Sequence, residues 1–209
     1  MTTESAFINI LRGFAKDPAA RGLMDDAAVV ELGDSCLIIT HDMMAEDVHF
    51  RSNANPADVA WKLVASNLSD LAAKGALPIG VLLGFMLGDD DWDRAFAAGL
   101  EKVLGHYGVA LLGGDTVSNR GDKRALGLTA LGIATNRPVP SRAGAQVGDG
   151  HAALLRVGGE GAGGQLFVEG QHPFAGGHPP EHPPLAFNTV QLDLWHPRHP
   201  RNRVMPKGT

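Results

Sequence analysis

The 209 residues carry 18 Lys and Arg against 23 Asp and Glu, a net charge of -5, with 44% hydrophobic and 20% charged residues. That is a globular balance, long enough for one good core or two small ones, and it excludes a chain disordered throughout. It offers no basic footprint for nucleic acid and no polybasic patch for a membrane surface.

The opening segment, Met1 to Pro18, spaces Phe7, Ile8, Ile10, Leu11 and Phe14 as one face of a helix. It lacks the basic start and unbroken apolar run of a secretory signal, and nothing elsewhere reaches the length of a membrane span. Cys36 is the only cysteine and lies in an apolar run, so neither a disulfide framework nor a thiolate zinc cluster can form. A cytoplasmic protein is expected.

Strands are expected at Ala28 to Leu32 and Cys36 to Thr40, followed by a helix over Asn55 to Ala73. Asn55 can cap that helix, Pro56 suits its first position, Asp58 favours its positive end, and Gly75 can close it after Lys74. A strand at Ile79 to Leu87 and a helix from about Asp91 to Tyr107 come next, the helix with Trp92, Phe96, Leu100, Val103 and Leu104 on its apolar side. Strands at Val109 to Leu112 and Ala125 to Ala134 complete a pattern that predicts an α/β (α+β) fold, a mixed sheet packed with helices. Strand directions are not legible at this stage.

After Gly150 the pattern stops. Gly158 to Thr209 holds eight of the 13 prolines, and six of the nine histidines lie beyond Gly150. Proline at that density rules out a long helix or central strand, and an irregular Gly/Pro/His-rich tail, disordered rather than metal-binding, is expected over 151-209. The organised domain is accordingly expected over 1-150.

Carboxylates recur beside strand ends or glycines at four places: Asp25-Asp26, Thr40-His41-Asp42, Asn67-Leu68-Ser69-Asp70 and Gly113-Gly114-Asp115-Thr116. Singly, each has a plain structural reading as a turn, a cap or a polar helix face. Together they suit a hard cation such as magnesium, which takes oxygen ligands and fills its remaining positions with phosphate oxygens.

Flanking residues make the pattern specific. Met24-Asp25-Asp26-Ala27, Thr40-His41-Asp42, Glu46-Asp47-Val48-His49-Phe50, NLSDLAAKGA at Asn67 to Ala76, GGDTV at Gly113 to Val117 and SRAGAQVGD at Ser141 to Asp149 stand in the order of the thiamine-monophosphate kinase motifs. The chain therefore resembles the amino-terminal domain of those kinases, members of the aminoimidazole-ribotide synthetase superfamily, over about residues 5 to 150. NLSDLAAKGA and GGDT mark the superfamily, and the VHF segment favours the thiamine branch.

The resemblance implies Mg2+ held by Asp26, Asp42, Asp70 and Asp115, with Thr40 and His41 adding oxygen from backbone or side chain. It implies ATP near Gly114, Asp115 and Arg142, and thiamine monophosphate against His49. The implied reaction transfers the ATP γ-phosphoryl group to the phosphate of thiamine monophosphate, giving thiamine diphosphate. An anionic acceptor needs charge neutralisation and in-line placement more than a general base, and none is assigned. The family also implies a homodimer built through this domain.

Three positions depart from the family: Met24 and Asp47 replace glycines, and His41 replaces a small hydroxyl residue, a change expected to alter metal affinity. A larger departure follows Gly150, where a V-T-G strand, an S-D-G-L motif and a G-G-E-D segment belong. HAALLRVGGEGAGGQLF and the Pro/His stretch instead read like a GC-rich coding sequence translated in a shifted frame, and weakened turnover is expected. Two alternative readings remain open: another ATP-using superfamily member of the aminoimidazole-ribotide synthetase type, or an inactive dimerisation or nucleotide-binding module.

Overall fold

The computed structural model describes residues 3-118, 121, 123-144, 151-157 and 165-171. The chain divides into two units, Met1-Gly144 and Ala145-Thr209.

Helix α1 (Glu4-Arg12) is capped by Thr3, whose hydroxyl accepts from the Ala6 N–H at 3.3 Å. Phe7, Ile8, Ile10 and Leu11 of the expected apolar stripe lie on it, while Phe14 falls beyond its end; no α1 residue is buried, and Phe7, Ile10 and Phe14 stay exposed. Arg12 reaches from α1 to the carbonyls of Gly22 (3.0 Å) and Leu23 (3.1 Å), fastening the helix to the short 3-10 segment Pro18-Leu23.

Five strands form one sheet: β1 (Ala27-Leu32), β2 (Ser35-Ala45), β3 (Ala76-Leu87), β4 (Ala110-Ser118) and β5 (Ala125-Ala134), in the order β1-β2-β5-β3-β4. Every neighbouring pair is antiparallel except β3 with β4, which run parallel. A parallel pair cannot be closed by a tight hairpin, and the connection here is helix α3 (Asp90-Tyr107). The expected mixed sheet packed with helices is thus present, with its directions now assigned.

Helix α2 (Pro56-Ala73) is built as its sequence dictates. The Asn55 side chain accepts from the Ala57 N–H at 2.9 Å, Pro56 fills the first position, and Gly75 sits at φ 60 just past Lys74. It packs on β2, β3, β5 and α3, burying Val59, Leu63, Val64, Asn67, Leu68 and Leu71 at three- and four-residue intervals. From the sheet, Ile38, Val81, Leu126, Leu128 and Ala130 complete this core. The two helices touch closely at Gly99, where an added Cβ would stand 2.4 Å from the Ala57 Cα.

Three strands outrun their sequence expectation, β3 by starting at Ala76 rather than Ile79. β2 continues beyond Thr40 to Ala45, and β4 continues beyond Leu112 to Ser118. Gly113 and Gly114 are therefore strand residues, at φ 153 and 155, beside a register shift against β3. A Cβ on Gly114 would lie 1.9 Å from the Leu83 carbonyl oxygen, so close backbone approach, rather than a turn, requires glycine there.

In the second unit, β6 (His151-Val157) and β7 (Gln165-Gln171) pair antiparallel, from His151 opposite Gln171 to Val157 opposite Gln165. This pair lies in the segment where composition predicts irregular chain. His172, His178, His182, His196, His199 and the remaining Pro-rich stretch lie outside the described residues, as does the carboxyl end of the SRAGAQVGD motif.

Candidate active site

Thr40 is the centre from which the site can be built. Its side chain points from β2 toward α2, with Oγ1 2.8 Å from Asp70 Oδ2 and 3.2 Å from the Asp26 carbonyl oxygen. The single hydroxyl hydrogen serves the shorter contact, to the carboxylate. Ala27 pairs with Thr40 across β1 and β2, which brings Asp26, just before β1, to the same corner.

Side chains alternate along a strand, so Asp42 shares the Thr40 face and His41 takes the other. Asn67 braces Asp42: it is fully buried on α2, accepts from the Asp42 N–H at 3.3 Å and donates to the Leu63 carbonyl at 2.9 Å. Because Asn67 and Asp70 are three apart, they face β2 together from one side of α2. Burial pushes the Asp70 carboxyl above its ordinary pKa; the Thr40 hydrogen bond opposes this, and the negative charges of Asp42 and Asp26 add to the rise. Three carboxylates thus stand within electrostatic reach of one another.

The other residues singled out by sequence are distributed as follows. Arg142 pairs with Asp26 through Nη2 and Oδ2, which closes the corner from the loop after β5. His41 lies on the opposite sheet face, with Nδ1 2.9 Å from Thr129 Oγ1, so its imidazole does not meet the carboxylates. His49 lies in the loop after β2; its Nδ1 accepts from the Ala45 N–H at 3.0 Å and its carbonyl accepts from Lys62 at 2.6 Å. The next residue, Phe50, stacks on Trp92.

Asp115 stands apart from the cluster. The register aligns Met43, Gly127, Gly84 and Asp115 in one row, placing Asp115 three strands away from β2, about 14 Å at the usual strand spacing. Within one chain, Asp115 therefore does not join Asp26, Asp42 and Asp70, because β4 is the far edge of the sheet. Gly114 is one residue away on the same edge.

Among the described residues, no group of three or more His, Cys, Asp or Glu side chains is arranged to hold a metal ion as it stands. This is compatible with magnesium, which commonly keeps several waters and takes only one or two carboxylates beside substrate phosphates. The donor set at the corner, Asp26, Asp42, Asp70 and the Thr40 hydroxyl, is all oxygen and excess-acidic, so it fits such an ion.

Two of the three departures from the family pattern lie where backbone geometry explains them. Asp47 has φ 63, the left-handed region where glycine is preferred and Asp is among the better-tolerated alternatives, and it also pairs with Lys123. Met24 has φ -105, open to any residue. His41 faces away from the acidic corner, which removes the reason for expecting it to alter metal affinity.

Sequence reasoning named Asp25 and Lys74 but not their pairing. The Asp25 side chain is fully buried and pairs with Lys74, whose side chain is only 5% exposed, and with Arg21 at 2.9 Å. Burial alone would raise the Asp25 pKa, but hydrogen bonds from Lys74 and Arg21, with the Lys74 charge, hold it below the ordinary value. Asn67 was equally visible as the head of NLSD, one turn before Asp70.

A family model, AIR synthase related protein, N-terminal domain, matches residues 24-134, from the residue before the aspartate pair to the end of β5. The chain belongs to this family. Among similar curated proteins, the thiamine-monophosphate kinase of Haemophilus influenzae is 38% identical over 139 residues, covering 61% of this chain and 42% of its own. That of Caulobacter vibrioides is 42% identical over 137 residues, covering 64% and 39%. The Mycobacterium tuberculosis enzyme is 33% identical over 178 residues, covering 82% of this chain and 53% of its own, a span that passes residue 150 wherever it begins. The chain thus spans about two fifths to a half of the length of these relatives. Among solved structures, AaThiL complexed with AMPPCP and TMP superposes with a TM-score of 0.61 at 27% identity, covering 70% of this chain and 46% of that one. Arg142 lies beyond the family match and is placed by the fold alone.

Proposed function

We propose that this chain supplies the magnesium- and ATP-binding half of a thiamine-monophosphate kinase. The observation that carries the reading is the acidic corner: the Thr40 hydroxyl meets the Asp70 carboxylate and the Asp26 carbonyl, and Asp70 is held above its ordinary pKa by burial and by the charges of Asp42 and Asp26. Like charges gathered without full compensation favour a divalent cation, and the curated relatives are kinases of thiamine monophosphate.

Asp26, Asp42, Asp70 and Thr40 would hold Mg2+, which when bound neutralises phosphate charge as the γ-phosphoryl group moves from ATP to the acceptor phosphate. The chain's own residues do the positioning. Thr40 orients the Asp70 carboxylate, Asn67 fixes the strand amide at Asp42, and Arg142 offers a planar, permanently charged donor that can exchange Asp26 for a phosphate oxygen. His49, presented by a loop braced by Lys62 and Phe50, is assigned to the thiamine phosphate. Gly114 and Asp115 are assigned to ATP from the far edge.

In this reading a second copy of the chain pairs with the first. Supporting it, β4 is an edge strand exposed along its whole length, and Leu111, Leu112 and Val117 on it are about half exposed, as is Ile79 on β3. An open, apolar edge of this kind is normally covered.

Calorimetric titration tests the core of the proposal. ATP with Mg2+ should bind and raise Tm, ATP with chelator should do neither, and Asp70→Asn should lose the metal-dependent part. A coupled assay with ATP, Mg2+ and thiamine monophosphate then reads the transfer itself. A wild-type chain indifferent to magnesium and nucleotide would sink the assignment.

A further inference from the structure

We infer that Asp25 is the positioning residue of this site, locking the three segments that carry Asp26, Asp70 and Arg142, and that it is not itself a metal ligand. The inference rests on the magnesium-ATP reading above, and it concerns a residue to which that reading gives no role.

Both Asp25 carboxylate oxygens are already committed. Oδ1 faces the Lys74 ammonium and accepts from the Asp26 N–H at 3.1 Å, while Oδ2 accepts from Arg21 Nη1 at 2.9 Å. A buried carboxylate between two cations cannot turn to a third without leaving Lys74 and Arg21 uncompensated, which is strongly unfavourable away from water. Asp42 and Asp70 make no ion pair among the described residues, so they remain free to accept one.

One partner of Asp25 closes the helix that carries a site residue, and the other clamps a loop that carries one. Lys74 lies one helical turn beyond Asp70, so its pairing holds the end of α2 against the start of β1. Arg21 also donates to the carbonyls of Val139 (2.9 Å) and Pro140 (2.6 Å), which clamps the loop two residues before Arg142. Asp26 is the next residue along the chain. One buried carboxylate therefore sets the separation of the three groups that would surround a metal-bound phosphate.

The test uses the full chain with Asp25→Asn, Arg21→Met and Asp26→Asn, at a temperature well below the Tm of each. Arg21→Met keeps the Asp25 pairing with Lys74 and so covers the case in which Asp25→Asn fails to fold. Two readouts are taken: amide hydrogen exchange in the peptide spanning 139-144, and the Kd for ATP with and without Mg2+. Arg21→Met should speed that exchange and weaken magnesium-ATP binding by about ten- to a hundredfold, as loss of groups behind metal ligands does. ATP without metal should bind as before.

Faster exchange with an unchanged magnesium-ATP Kd would reduce the hub to a stability element and overturn the proposal. So would Asp25→Asn raising the Mg2+ requirement as far as Asp26→Asn while exchange stays unchanged, because Asp25 would then be a ligand. If the wild-type chain binds no magnesium-ATP, the functional reading fails by itself, and exchange in Asp25→Asn, where Arg21 keeps its own bonds to Val139 and Pro140, decides whether Asp25 locks the loop.

Discussion

Asp47 shows how a single backbone angle selects a side chain. At φ 63 it occupies a region that costs an ordinary L-residue about 1-2 kcal/mol, less for Asp and nothing for Gly. Asp47→Gly should therefore leave the urea unfolding midpoint close to that of the wild type, because relief of the backbone offsets the lost Lys123 contact. Asp47→Val should destabilise by about 1-2 kcal/mol, since a β-branched side chain suits that region least. Cys36 makes a second case at this scale. It is 1% exposed, and burial, followed by the nearby Glu31 charge, pushes its thiol above the ordinary value. The thiolate is the reactive form, so Cys36 should resist a disulfide reagent in the native protein at mildly alkaline pH and react fully once unfolded. Rapid native labelling would contradict the burial.

At the scale of elements, the helices were readable and the strands only partly so. The Asn55 cap, Pro56 and Gly75 delimit α2 because each acts on backbone within one turn, and Asn55→Ala should cost about 1 kcal/mol by thermal unfolding. Strand ends depend on partners elsewhere in the chain, which is why β2, β3 and β4 outran their sequence signals. That error carried consequences for the site. With β2 ended at Thr40, nothing distinguished the direction of His41 from that of Asp42; with the strand extended to Ala45, alternation separates them. GGDT read as a turn, yet its glycines let β4 pass close against Leu83, and Gly114→Ala should break the β3-β4 pairing and appear as faster amide exchange on β4. The Asp25 pairing with Lys74 spans 49 positions and follows no local period, so no window of sequence could reveal it.

At the largest scale, within the unit Met1-Gly144, one helical layer on one sheet accounts for both the core and the acidic corner. α2 contributes Leu63 and Leu68 to the interior and, from adjoining turns, Asn67 and Asp70 to the site. Leu63→Ala should therefore lower stability by about 2-5 kcal/mol in denaturant unfolding, while the folded fraction keeps its metal response. The open β4 edge belongs to the same scale. Light scattering should report a dimer, and Leu111→Lys should shift it toward monomer without lowering the Tm of the isolated subunit. A wild-type chain that stays monomeric at high concentration would remove the dimer from the proposal.

The alternation along β2 has a practical outcome for anyone redesigning the protein. One ribbon of backbone presents two ledgers of side chains that never meet: Thr40 and Asp42 written on one side, His41 and Met43 on the other. Libraries that randomise the second set can explore new recognition while the first set is left unread, so new binding and inherited chemistry can be selected on the same eleven-residue strand without trading one against the other.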